Sequence, residues 1–441
     1  MRRSLVTRPS RRYDRRMKAR ALLATGFLLL AAGCSPGAVD EGAGGSWAGT
    51  ITTEGDVTTV INESGSVWGG TATLVEEASI GVDIGEDAYM FGYVGGTWAT
   101  EERIYVTDAE APAVRVYDLD GNHLLDIGRE GQGPGEFQRP GDLLVSPSGL
   151  LYVRDSGPGG PINVYTEEGE HVETLRADPM LSSGWPMVFT HDGELFTPVR
   201  GNPEQWPEVR VQGMGIPGRD GVVGEPLTVP TLDFESVSVR VNERAALSVP
   251  FAPRHTWAMS PSGAFVVGIS DDYRFEIHEP GGYVTLVQRV WAREPVDPAE
   301  ADWERRSTMR SGRRFVEAWN WDGAEIPAYK RSYSSLSVDA GGRIWVIRRG
   351  PSRRIEDCDE DPLEVTEGSP RRCWEYDILF DLFDEEGRLL TSGIESPRGL
   401  SSLNAAFIRD DTFVAPIEDE LGTIMVKRFR LAVPETETDH Q

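Results

Sequence analysis

Few residues of this 441-residue chain stand at spacings that could do chemistry. Asp357, Asp359 and Asp361 alternate beside Cys358. Alternating carboxylates suit calcium, a hard cation that takes several oxygen ligands. An EF-hand loop opening at Asp357 needs Gly at its sixth position and Glu at its twelfth. Pro362 and Gly368 stand there instead, so a solvated acidic loop is expected. No cofactor is expected, and calcium is the ion to test for. No HExxH, CxxC or P-loop occurs. G-x-S-x-G occurs once, at Gly33–Gly37, where no nucleophile elbow would form. Gly213-Met-Gly215-Ile-Pro-Gly218 matches a dinucleotide fingerprint, but its Pro and the lack of a following helix mark a loop.

Short strands must position whatever site exists. Tyr105-Val-Thr-Asp108, Tyr117 and Gly121-Asn-His123 return as Tyr152-Val-Arg-Asp155, Tyr165 and Gly169-Glu-His171, 47 or 48 residues on (152 − 105; 165 − 117). A period in the forties, built of short strands and tight turns, is that of a propeller with one four-stranded sheet per blade. Looser copies at 185–214, 256–290, 333–392 and 403–431 bring the count to six. Asp108 and Asp155 occupy one position of the unit. An Asp there either ligates a metal in the channel or accepts backbone N–H bonds, and the second is expected. His123 and His171 follow turn glycines in outer strands and read as rim residues. The segment 46–95 lacks a full repeat. Its strand Val57–Ile61 is expected to close the ring against the last unit, removing two sheet edges.

The connector Ile127-Gly-Arg-Glu-Gly-Gln-Gly-Pro-Gly-Glu-Phe-Gln-Arg-Pro140, with the strand pair to Val153, resembles that of NHL-repeat proteins. The whole is similar to the six-bladed propellers of bacterial lipoproteins. The resemblance implies an all-β fold of four-stranded antiparallel blades and a binding platform. It implies no single activity.

Residues 1–33 read as a lipoprotein signal peptide. Met17-Lys-Ala-Arg20 is a basic start, and translation from Met17 would give a signal of ordinary length. Ala21–Ala32 is an apolar run too short to span a membrane, and Leu30-Ala-Ala-Gly33-Cys34 resembles a lipobox that lipidates Cys34. The protein is therefore expected outside the cytoplasm, held to a bacterial membrane by Cys34. Ser35, in place of an inner-membrane-retaining Asp, favours the outer membrane. Removing 1–33 leaves 35 basic (44 − 9) against 70 acidic (71 − 1) residues. That surface repels nucleic acid and anionic head groups. Residues 34–56 read as a flexible tether, 57–431 as the propeller and 432–441 as a polar tail.

The chain exceeds six units by three insertions. Gly201–Ser248 is a Pro- and Gly-containing excursion. Asp297–Trp319 is the one helix, with Asp297 and Glu300 as a capping box and Pro298 at its first position. Gly312 is expected to kink or split it, and Trp303, Phe315 and Trp319 to pack over a propeller face. Arg348–Glu375 carries Cys358 and Cys373. In an exported chain that pair reads as a disulfide closing a 16-residue loop (373 − 358 + 1), worth roughly 3 kcal/mol in the chain-entropy model.

The innermost strands line a propeller's channel. They are expected near Trp98, Asp142, Met187, Trp257, Leu336 and Asn404. Residues just before them approach one mouth: Arg139, Trp185, Arg254, His255, Arg331 and Tyr333. With Asp142 they form a cationic, stackable mouth suited to an anionic or sugar-like ligand. Otherwise the arginines pair with acids and the aromatics pack between blades. The leading reading is a membrane-tethered platform for a protein, peptide, polysaccharide or small ligand. The alternative is a lactonase-like hydrolase or lyase holding a metal in the channel, with Asp142 and Asn404 as ligands and Glu101, Glu102 and His255 in support.

Overall fold

The computed structural model describes residues 44–155, 160–175, 187–200, 209–214, 227–358, 360–365, 368–400, 403 and 406–434. Its first three strands are β1 (Ala48–Glu54), β2 (Val57–Ser64) and β3 (Thr73–Ile80). Six four-stranded antiparallel units follow one pattern, innermost strand first. The innermost strands, blade by blade, are Val94–Ala99, Pro140–Val145, Val188–Phe189, His255–Met259, Ser335–Val338 and Phe407–Arg409.

The unit repeats because its turns and buried side chains repeat. Gly121 and Gly169 take φ of +88° and +86° in the outer hairpins of blades 1 and 2, a backbone that only glycine adopts freely. Tyr105 and Tyr152 are fully buried in the second strands, Tyr117 and Tyr165 in the third. His123 and His171 each meet the latter tyrosine edge-on at 5.6 Å. Asp108 accepts from the Gly92 and Tyr93 amides, and Asp155 from those of Gln138 and Arg139. Each thereby fixes the chain entering its own blade's innermost strand, the backbone-binding role the sequence favours.

The core lies between the blades. Six buried clusters join successive sheets. One joins blade 6 to blade 1 through Phe407, Val414 and Val426 against Val94, Ile104 and Tyr117. The ring is closed. Its last sheet takes its outer strand from β3, paired antiparallel from Thr73↔Ala432 to Ile80↔Val426.

The expected closing strand was a different one. Val57–Ile61 lies in β2, which pairs parallel to Val284–Arg289 at the outer edge of blade 4 and carries β1 beyond it. The reason is topological. Each connector runs from an outer strand to the next blade's innermost strand, so the closing strand must immediately precede Val94, and β3 does. Residues 48–54 of the expected tether are thus strand, while 34–43 lie outside the described residues.

The helix α1 spans Pro298–Arg313, and Asp297 caps it by accepting from the Ala299 amide at 2.7 Å. It ends short of Trp319, whose ring packs 2.2 Å from where a Cβ on Gly312 would stand, so that position must be glycine. Glu300 does not return to the cap; it is buried against the Lys330 ammonium at 2.8 Å. Trp303 packs on Cys358, Cys373 and Trp374, and Trp319 on Val239 and Val249. These contacts are with the neighbouring insertions, and Phe315 is 61% exposed, so no aromatic row caps the ring. The disulfide Cys358–Cys373 is formed, with Cα atoms 5.3 Å apart.

Candidate ligand-binding site

Innermost strands put alternate side chains toward the axis, so six of them enclose a channel. Here they surround a cavity of about 870 Å³, within the range of small-molecule sites. Trp98, Asp142, Met187, Trp257 and Leu336, from five blades, line it as the repeat register predicts. Phe407 supplies the sixth wall, its ring 4.5 Å from that of Trp98. Arg254 and His255 also line it. The lining is predominantly apolar and aromatic with a few ionisable groups, the composition typical of ligand pockets.

Asp142 is the acid of the described lining that departs from ordinary behaviour. Burial pushes its carboxyl up to about 6, against the pull of Arg154 3.9 Å away. Arg154 is itself buried and donates to the Thr197 hydroxyl at 2.8 Å, which ties blade 2 to blade 3 beneath the channel wall. His255 is held below its usual range by burial, opposed by a hydrogen bond with Pro230. Asp142 Oδ2 and His255 Nε2 are both shielded from solvent and have no hydrogen-bond partner.

The other nominated residues separate. Arg139 does not line the cavity; its guanidinium lies over the Tyr93 ring at 5.4 Å. Tyr333 is a correction. It is fully buried between blades 4 and 5, donates to the Arg274 carbonyl at 2.8 Å and packs 5.8 Å from Tyr273. Its bulk and its one satisfied hydroxyl make it core, as the packing alternative allows. Arg331 does not line the cavity; burial, with the positive charges of Arg254 and Arg349 bearing on it, pushes its guanidinium down to about 10. Trp185, Asn404 and Cys34 lie outside the described residues. So does Asp359, while Asp361 of the same run is spent on Arg306 at 2.5 Å. Among the described residues no group of three or more His, Cys, Asp or Glu could hold a metal. Asp142 in particular has a guanidinium as its charged neighbour, which disfavours a cation there.

Sequence reasoning missed Arg349, Arg372 and Tyr376. Arg349 stacks on Tyr376 at 4.2 Å, and Arg372 donates to the Tyr376 hydroxyl at 3.0 Å. The signal was present as a strand ending in two arginines and a second arginine pair before Cys373. Nothing local brings them together; the disulfide excursion does.

Residues 86–180 match the model of a family, DUF5128, described as a 6-bladed beta-propeller. The chain is a six-bladed β-propeller. Among solved structures it is similar to a DUF4221 member from Bacteroides vulgatus, at 10% identity and TM-score 0.48, covering 82% of this chain and 99% of that one. It is also similar to a protein from Bacteroides fragilis described as exported, at 11% identity and TM-score 0.39, covering 82% and 94%. A third likeness is to a virginiamycin B lyase from Staphylococcus aureus, at 10% identity and TM-score 0.36, covering 80% and 98%. At these scores the likenesses carry no activity over to this propeller.

Proposed function

We propose that this propeller is an extracytoplasmic, lipid-anchored binding protein that takes a ligand with an apolar or aromatic body into its central channel. The observation that carries this reading is the cavity of about 870 Å³ walled by Trp98, Trp257, Phe407 and Met187. A closed ring of six tightly packed interfaces holds those walls rigid, and preorganisation lowers the cost of binding. Export and anchoring rest on the run from Met17 to Cys34, and the disulfide agrees with an oxidising compartment. The hydrolase or lyase alternative draws less support. Asp142 Oδ2 and His255 Nε2 are shielded from solvent, and the charged neighbour of Asp142 is a guanidinium, which disfavours the channel metal that this alternative needs.

The test is titration of the chain with neutral, environment-sensitive aromatic dyes, read by fluorescence and by thermal shift. Saturable binding that weakens in Trp257→Ala or Trp98→Ala supports the reading. Absence of saturable binding, or binding indifferent to both substitutions, sinks it.

A further inference from the structure

The channel wall between blades 4 and 5 ends in a group of arginines that nothing else in the fold accounts for. Three backbone links assemble it. Arg254 and Ser270 exchange main-chain and hydroxyl bonds at 2.9 and 3.0 Å, and Ser332 bonds on to Ser270 at 2.8 Å, which brings the backbone at Arg331 toward that of Arg254. Arg349 ends the second strand of blade 5 (Ile344–Arg349), in register with Ile378, and the disulfide excursion brings Arg372 to Tyr376. Tyr376 is the shared platform, with Arg349 at 4.2 Å and Arg372 at 5.6 Å from its ring.

Acidic compensation is thin, although the chain is strongly acidic at net −27. Glu304 meets Arg372 at 3.6 Å, and its one carboxylate also bears on Arg349 and Arg331. Glu300 and Glu294 are committed to Lys330 at 2.8 and 2.7 Å. Asp377 and Glu375 are committed to Arg353. Arg254, Arg331 and Arg349 have no ion-pair partner among the described residues. Arg331 is pushed down to about 10, by burial first and then by Arg254 and Arg349. Arg331 is half-buried while Arg254, Arg349 and Arg372 are exposed; gathering like charges this way costs stability, and a bound anion offsets that cost.

We propose that Arg254, Arg331 and Arg349, with Arg372 and Tyr376, form an oxyanion subsite that binds a phosphate or sulfate group at the end of the channel. Guanidinium forks pair bidentately with such groups. Three forks present more donors than the lone pairs of one carboxylate accept, so a tetrahedral, multiply charged oxyanion fits better. Arg254 also lines the cavity, so the subsite opens onto it. The inference deepens the binding reading above, assigning an apolar body to the channel and an anionic head to this corner.

The experiment titrates the full chain with inorganic pyrophosphate and with sulfate, against sodium chloride at matched ionic strength, by calorimetry and thermal shift. Pyrophosphate or sulfate should raise the melting midpoint where chloride does not, and whichever binds tighter names the head group. Arg331→Gln and Arg349→Gln should each weaken binding by roughly tenfold or more, as loss of a charge-assisted bond implies. Arg353→Gln, on the surface, should leave it unchanged. Equal binding by all three variants, or no difference between these anions and chloride, overturns the proposal. The dye titration separates the two readings. Dye without anion binding ends this proposal alone, and anion without dye binding keeps the subsite and ends the channel reading.

Discussion

Asn62 and Gly387 stand 325 residues apart in the chain and are joined by a hydrogen bond of 3.0 Å from the Asn62 amide to the Gly387 carbonyl. The same side chain accepts from the Leu389 amide at 2.8 Å and from the Trp47 indole at 2.8 Å. It is 2% exposed. One residue of β2 therefore clips the amino-terminal hairpin onto the junction of blades 4 and 5. Asn62→Ala leaves a buried amide and a buried carbonyl unpaired. Each costs about 1–3 kcal/mol, and urea unfolding should show a loss of that order or more. An unchanged midpoint would mean the hairpin is not part of the cooperative unit.

Asp381 is the second clip. It is fully buried, bonded to Arg289, Arg348, the Tyr273 and Ser392 hydroxyls and the Gly393 amide. Burial alone would raise its carboxyl, but Arg289 and Arg348 hold it well below the usual range. Because the folded value is depressed, its stabilisation is present above pH 3.8 and is lost as pH falls below it. Asp381→Asn strands two buried guanidiniums and should cost about 3–5 kcal/mol by thermal or urea unfolding. The variant should also lose less stability on acidification than the parent.

Asp142 has the opposite sign. Its folded value of about 6 exceeds the unfolded 3.8, so the folded state favours the protonated form. Its contribution is present below pH 3.8 and is lost as pH rises through 6. Asp142→Asn should therefore stabilise the protein near pH 7, by about 1–3 kcal/mol after allowing for partial exposure, and should make no difference near pH 4. A gain independent of pH would show that the carboxyl does not titrate there.

The disulfide closes the excursion that carries Arg372 and Tyr376. Replacing Cys358 and Cys373 by Ser should lower stability by about 3 kcal/mol. It should also speed proteolysis within 358–373 and weaken any pyrophosphate response. Retention of that response in the serine variant would place the anion outside this corner.

Cys34→Ala should abolish lipid incorporation during expression in a bacterial host, read by mass spectrometry of the amino-terminal peptide. Lipid on the variant would refute the lipobox reading.

The blades were legible because their periodic features are local. Tyr105 and Tyr152, the turn glycines and Asp108 and Asp155 recur at fixed spacing, and the channel positions follow from the register. The closing strand was not legible from propensity, because β2 and β3 are both β-rich segments before Val94. Only their order relative to blade 1 decides between them. Tyr333 looked like a mouth residue for a similar reason. It directly precedes an innermost strand, yet its ring turns into the interface between two blades, which sequence spacing does not show. The Arg349–Tyr376–Arg372 stack depends on a loop fold that no periodicity encodes.

The seam in blade 6 sets an order of events for the growing chain. Thr73 meets Ala432 across 359 positions (432 − 73). Until the final strand emerges, β3 has no partner and the ring stays open. Contacts this distant in sequence form late and slowly. A chain that cannot finish folding before its last strand is synthesised stays open to the end of translation, which is the state that the proposed export would need.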